Sequence, residues 1–173
     1  MGLNRMLNEP EIYVRCKEIL RKNGWMLLGG EPPDGTDDIP RIELRDPSNQ
    51  GIGSKGSRKV DLIGYKQNKI LLLELKDHFS AADVSKLDSI VSEERWRQAL
   101  KGALDGKRAF KKAGLEERLS DLALDPEALV KALGLPEAHA IKDDFVLIVV
   151  KPEGYELAFG KLCGTDKDFF ESG

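Results

Sequence analysis

With 173 residues the chain is long enough for one domain, 1–173, with a real core. Apolar residues make up 40% and charged residues 33%, as in an ordinary soluble protein, and no apolar run approaches the ~20 residues that span a bilayer. The net charge of −3 excludes a globally basic nucleic-acid binder, so any basic surface must be local. Cys16 and Cys163 lie at opposite ends of the chain and form no metal or redox motif. The opening MGLNRMLNEPE shows neither a signal-peptide core nor a myristoylation signal. A reduced chain in the cytoplasm, with no membrane partner, is expected.

Asn8-Glu9-Pro10 predicts a helix start, and Asn23-Gly24 its end. Ile12, Cys16, Ile19 and Leu20 form its apolar stripe. Residues 25–28 are a short apolar run and predict the first strand. Residues 29–56 are rich in Gly, Pro, Asp and Ser and predict a long loop insert, with only 41–45 alternating like a strand. Residues 57–76, SRKVDLIGYKQNKILLLELK, predict two strands turning at Gln67-Asn68. Residues 81–113 read as helix in one or two pieces, weakened at Gly102 and Gly106 by about 1 kcal/mol each. Residues 116–124 and 126–133 predict two short helices, the second capped by Asp125 ahead of Pro126. Phe145–Val150 is a continuous β-branched apolar run, hence a buried strand, and Tyr155–Phe159 predicts a last one. After Gly164 no pattern stands out. The fold class is α/β, a mixed central β-sheet flanked by helices in the order αβββαβ.

The hairpin concentrates the chemistry. A turn at Gln67-Asn68 pairs Lys66 with Lys69, Tyr65 with Ile70 and, further along, Asp61 with Glu74. Directly opposed residues have Cβ atoms roughly 5 Å apart, and opposed like charges destabilise a sheet. A cation between the two carboxylates would reconcile them, and hard divalent ions such as Mg²⁺ take carboxylate oxygens. Lys76, two residues beyond Glu74, points to the same face. The competing reading is a solvated charge pattern on an open face. Against it, Leu72 shares the face of Glu74, and a solvated face would tend to pair carboxylate with lysine.

The residues Gly56-Ser57-Arg58-Lys59-Val60-Asp61-Leu62 and Leu72-Leu73-Glu74-Leu75-Lys76 resemble the PD-(D/E)XK nuclease superfamily, most closely its archaeal Holliday junction resolvase branch. The twelve residues between Asp61 and Glu74 suit that family's paired strands, and the order of the elements suits its restriction-endonuclease-like core. The resemblance implies a metal-dependent endonuclease acting on DNA, with Mg²⁺ or Mn²⁺ as cofactor and catalytic residues Asp61, Glu74 and Lys76. It implies metal ligands Asp61, Glu74 and the backbone carbonyl of Leu75, and by analogy a homodimer. A further acid on the first helix is common in the superfamily, and Glu9 and Glu11 are the candidates. Glu9 falls on the stripe of Ile12, Cys16 and Ile19, so it is better placed for the sheet, although a carboxylate at a helix N-terminus is favourable in its own right. Lys76 either stabilises the transition state or orients the attacking water, and an ammonium flanked by carboxylates favours the first role.

Two basic features are candidate nucleic-acid contacts. Residues 51–59, GIGSKGSRK, supply Lys55, Ser57, Arg58 and Lys59 on a glycine-rich approach to Asp61. Arg97, Lys101, Arg108 and Lys112 fall on one stripe at helical spacing, apart from an apolar stripe of Trp96, Leu100, Ala103 and Phe110. A flexible loop and a solvated charged face are the plain alternatives. His78 follows the Glu74–Lys76 strand and His139 is far away in sequence, so a structural zinc site is not expected. The alternative function is a non-catalytic nucleic-acid-binding or protein-interaction module on the same scaffold.

Overall fold

A computed structural model describes residues 6–33, 38–46 and 56–172. Its centre is the anticipated hairpin. β4 (Leu62–Lys66) and β5 (Lys69–Leu75) join through Gln67 and Asn68, both at positive φ (44° and 66°). That backbone is the primed two-residue turn whose twist matches the flanking strands. The register runs from Lys66 opposite Lys69 to Leu62 opposite Leu73, which leaves Asp61 and Glu74 as the next pair along.

The hairpin belongs to a six-stranded mixed sheet of order β1-β4-β5-β6-β7-β8. β1 (Met26–Gly30) pairs antiparallel with β4. β6 (Leu129–Leu135) and β7 (Phe145–Val150) continue parallel from β5, and β8 (Tyr155–Phe159) closes the edge antiparallel. The first arm of the hairpin differs from the expectation of one continuous strand. Residues Ser57–Lys59 form β3, which pairs with β2 (Glu43–Arg45) in a separate two-stranded sheet, and the chain bends at Asp61 before β4 begins.

β6 corrects a second expectation. Residues 129–133 were expected to close a short helix, yet Leu129–Leu135 is a fully buried strand beside β5. Its Leu, Lys and Ala favour helix, but the slot between β5 and β7 leaves only an extended, two-sided burial, and tertiary context overrides propensity. Ahead of it, Glu117–Leu124 and Pro126–Ala128 are 3₁₀ turns, the second capped by Asp125 as expected.

Helices cover both faces. α1 (Glu9–Lys22) starts with a capping box, Asn8 and Glu11 exchanging side-chain-to-backbone hydrogen bonds of 3.0 and 3.1 Å. It buries Ile12, Tyr13, Cys16, Ile19 and Leu20 against Leu71, Leu73 and Leu75. α5 (Lys167–Glu171), which no sequence pattern announced, shares that face through Phe170. The opposite face carries α2 (Ala81–Ser92), α3 (Glu94–Gly106) and α4 (Ala109–Lys112), packed on Ile70, Leu72 and Leu133. Glycine is required where β1 meets the bend: a Cβ at Gly30 would lie 2.5 Å from the Tyr13 hydroxyl. That close approach lets Glu31 N–H donate to the Asp61 carbonyl at 2.9 Å and fix the bend. Among the described residues no helix is long and apolar enough to cross a membrane.

Candidate active site

Glu74 stands near the C-terminal end of β5 with its side chain on the α2 face, in line with Ile70 and Leu72. It is 2% exposed, so Glu74 itself does not belong to a solvated charge pattern. The two acids are joined through the backbone N–H groups of Asp61 and Leu75. The Asp61 N–H donates to Glu74 Oε2 at 3.0 Å, and the Leu75 N–H donates to Asp61 Oδ2 at 2.9 Å. The bend at Asp61 makes this possible, because it frees that N–H from the strand ladder and turns it to the neighbouring carboxylate.

Two residues that sequence reasoning missed complete the cluster, both on α2. Lys86 forms an ion pair with Glu74 Oε1 and donates to the Lys59 carbonyl at 2.8 Å. Asp83 lies 3.9 Å from Lys76 Nζ. The Ser80 hydroxyl caps the helix on Asp83 N–H, which positions this first turn over the end of β5. A signal existed: Asp83, Leu87 and Ile90 share one face at helical spacing, so an acid sits where a core residue belongs.

The electrostatics follow from depth. Burial pushes the Asp61 carboxyl above the usual carboxylate range, outweighing the Leu75 hydrogen bond and the positive charges of Lys86 and Lys76. Burial likewise raises Asp83, with Lys76 opposing and the charge of Asp61 adding to the rise. Lys86 is lowered by burial, against the pull of Asp61.

The remaining expected residues are placed as follows. The Leu75 carbonyl lies on the strand edge of its N–H, the edge facing Asp61, since a strand residue presents both groups to one neighbour. Glu9 is half-buried in the first turn of α1, the helix that packs on the face of the sheet opposite the Glu74 side chain. Among the described residues no three acidic, histidine or cysteine side chains form a metal cage. Lys55 lies outside the described residues. Ser57 opens β3 opposite Arg45. Arg58 is held inside the fold: its guanidinium lies 4.2 Å from the Trp96 ring centroid and donates to the Ser89 hydroxyl. Lys59 reaches Glu31 at 3.6 Å.

Arg97, Lys101, Arg108 and Lys112 do not form one stripe. α3 ends at Gly106, and Arg108 takes a left-handed backbone (φ 52°) that starts α4 in a new direction. Arg97 donates to the carbonyls of Val91 and Leu124, Lys101 pairs with Asp105 and Asp121, and Arg108 pairs with Glu117. His78 meets Asp77 at 2.6 Å, and His139 stacks on Phe79 with ring centroids 3.8 Å apart.

The donor set suits a hard cation. Asp61, Glu74 and the Leu75 carbonyl offer only oxygen, and Mg²⁺ is typically held by one or two carboxylates while keeping several waters. A positive charge, the Lys86 ammonium, already stands against Glu74 Oε1. No family model, curated protein or solved structure matches the chain.

Proposed function

We propose that this chain is a metal-dependent nuclease of the PD-(D/E)XK type that hydrolyses phosphodiester bonds in DNA with Mg²⁺ or Mn²⁺. The observation that carries the reading is the carboxylate pair of half-buried Asp61 and buried Glu74, held together by the Asp61 N–H on Glu74 and the Leu75 N–H on Asp61 at the end of the hairpin, with Lys76 two residues on. The succession α1, β1, β4, β5, α2, β6, with β6 parallel to β5, supports it as well.

Asp61, Glu74 and the Leu75 carbonyl would hold the ion, which supplies a polarised phosphoryl oxygen and a more acidic water. The rest falls to the chain. Lys76 presents its ammonium to the charge that develops on the phosphoryl oxygens, where prearranged positive charge acts most strongly. Asp83 positions that ammonium. The bend at Asp61, pinned by Glu31, keeps the two acids in register as the strand ladder ends.

A cleavage panel of duplex, single-stranded, branched and RNA substrates with Mg²⁺ and Mn²⁺ tests the proposal. Cleavage of a DNA member that stops in excess chelator is the expected result, and cleavage that survives the chelator refutes it. One observation favours a second reading, a non-catalytic binding module: Lys86 already neutralises Glu74. DNA binding without any calorimetric uptake of Mn²⁺ would favour the module.

A further inference from the structure

We infer that Lys86 is the resident counter-cation of the acid pair, and that uptake of a divalent ion displaces its ammonium from Glu74 into solvent. The inference rests on the metal-dependent reading above and adds the exchange by which the site would load. Three observations converge on it. First, Glu74 cannot move: its side chain is 1% exposed, and Oε2 is tied to the Asp61 N–H. Second, Lys86 can move: its side chain is 28% exposed, and a flexible four-carbon stem carries the ammonium. Third, the atom it covers, Glu74 Oε1, is the oxygen of that carboxylate not tied to the Asp61 N–H, and Lys86 is the cation that occupies it.

Lys86 therefore solves a problem for the metal-free fold. Two closely spaced acids, one of them buried, would be strongly destabilising with no cation beside them, and an ammonium on a neighbouring helix reduces that penalty. It also competes with the ion, since a divalent cation on Glu74 Oε1 would repel an ammonium held against the same atom. Freed from Glu74, the ammonium stays tethered to α2 and adds a positive group to the surroundings of Asp61, where Lys76 also acts and a phosphodiester would approach. Fluctuating occupancy of Glu74 by Lys86 would set the apparent ion affinity, because a ligand pays for the fraction of the protein in the competent state.

Amine labelling tests this directly. The wild-type protein is reductively methylated with and without saturating Mn²⁺, and modification at Lys86 is followed by peptide mass spectrometry. Faster methylation of Lys86 with Mn²⁺, and an unchanged rate at Lys22, is the expected result. Calorimetric titration of Mn²⁺ into Lys86→Met should give affinity about tenfold or more above wild type, the usual scale of site-to-site coupling. Lys86→Gln serves if the methionine variant fails to fold, and Glu74→Gln with Lys86→Met should abolish the gain. Equal affinities for wild type and variant, or Mn²⁺ binding with Lys86 still protected, overturn the displacement and leave the nuclease reading intact. No Mn²⁺ uptake by either protein overturns both.

Discussion

Helix α2 faces the sheet with two charged clusters, and they are balanced in opposite ways. Near its C-terminal end, Asp88 accepts from Lys131 at 2.7 Å and Lys142 at 2.6 Å, and Asp144 also meets Lys131. Burial pushes Asp88 up, but the hydrogen bonds from the two lysines outweigh it and hold the carboxyl below its usual range. Near the N-terminal end, Asp61, Glu74 and Asp83 share Lys76 and Lys86. There burial wins, and Asp61 and Asp83 are both raised. Two acids against two ammonium groups make a finished tie between α2 and the sheet. In the N-terminal cluster the neighbouring ammonium groups do not offset burial, so the carboxylates are left under-neutralised.

The sharpest way to break this contrast is to remove an acid from the unbalanced cluster. Asp61→Ala or Glu74→Ala should take DNA cleavage below detection and abolish calorimetric uptake of Mn²⁺. Lys76→Ala should lower cleavage by roughly 10²–10³, the scale for one lost charge-stabilising donor, while gel-shift affinity for DNA is retained. The balanced cluster should respond in stability alone. Asp88→Asn is expected to cost about 1–3 kcal/mol in urea unfolding, with Mn²⁺ uptake unchanged.

Acid titration separates the clusters by sign. The depressed carboxyl of Asp88 contributes stability above the usual carboxylate range, and that stability is lost as pH falls through its folded value. Asp88→Asn should therefore flatten the acid limb of the unfolding profile. Asp61 has the opposite sign: its raised value means that the fold disfavours the charged form above the usual carboxylate range. Asp61→Asn should melt higher than wild type at pH 7, and the gap should close as pH falls through that range. A lower melting temperature for Asp61→Asn at pH 7 would contradict the account of an under-neutralised site. The smallest effect is expected at Lys112, an exposed residue after the break in the basic stripe. Lys112→Ala should change stability by no more than about 0.5 kcal/mol.

The legible parts of the molecule were those written locally. Gln67-Asn68 announced the turn, and period-two pairing from it placed Asp61 beside Glu74. Asn8 and Pro10 marked the start of α1, and Asn23-Gly24 its end. The unread parts depended on distant partners. Residues 129–135 have a helical composition and became a strand only because β5 and β7 flank them. Arg58 read as a phosphate contact, whereas the ring of Trp96, far along the chain, holds its guanidinium. Lys86 reaches Glu74 only once α2 has docked, so no motif spacing announced the cation that stands at the acids.

At the turn end of the hairpin, the Lys66 ammonium is surrounded by the carbonyls of Asn23, Phe169, Phe170 and Ser172, so it fastens the last helical turn to the sheet. Met6, by contrast, lines a small cavity of about 140 Å³ with His78 and His139, beyond Lys76. The seven residues of β5 separate these places by about 20 Å at ~3.3 Å per residue. A dye or affinity handle following Ser172 would thus sit remote from the carboxylates, while one introduced near Met6 would report on, and crowd, their entrance.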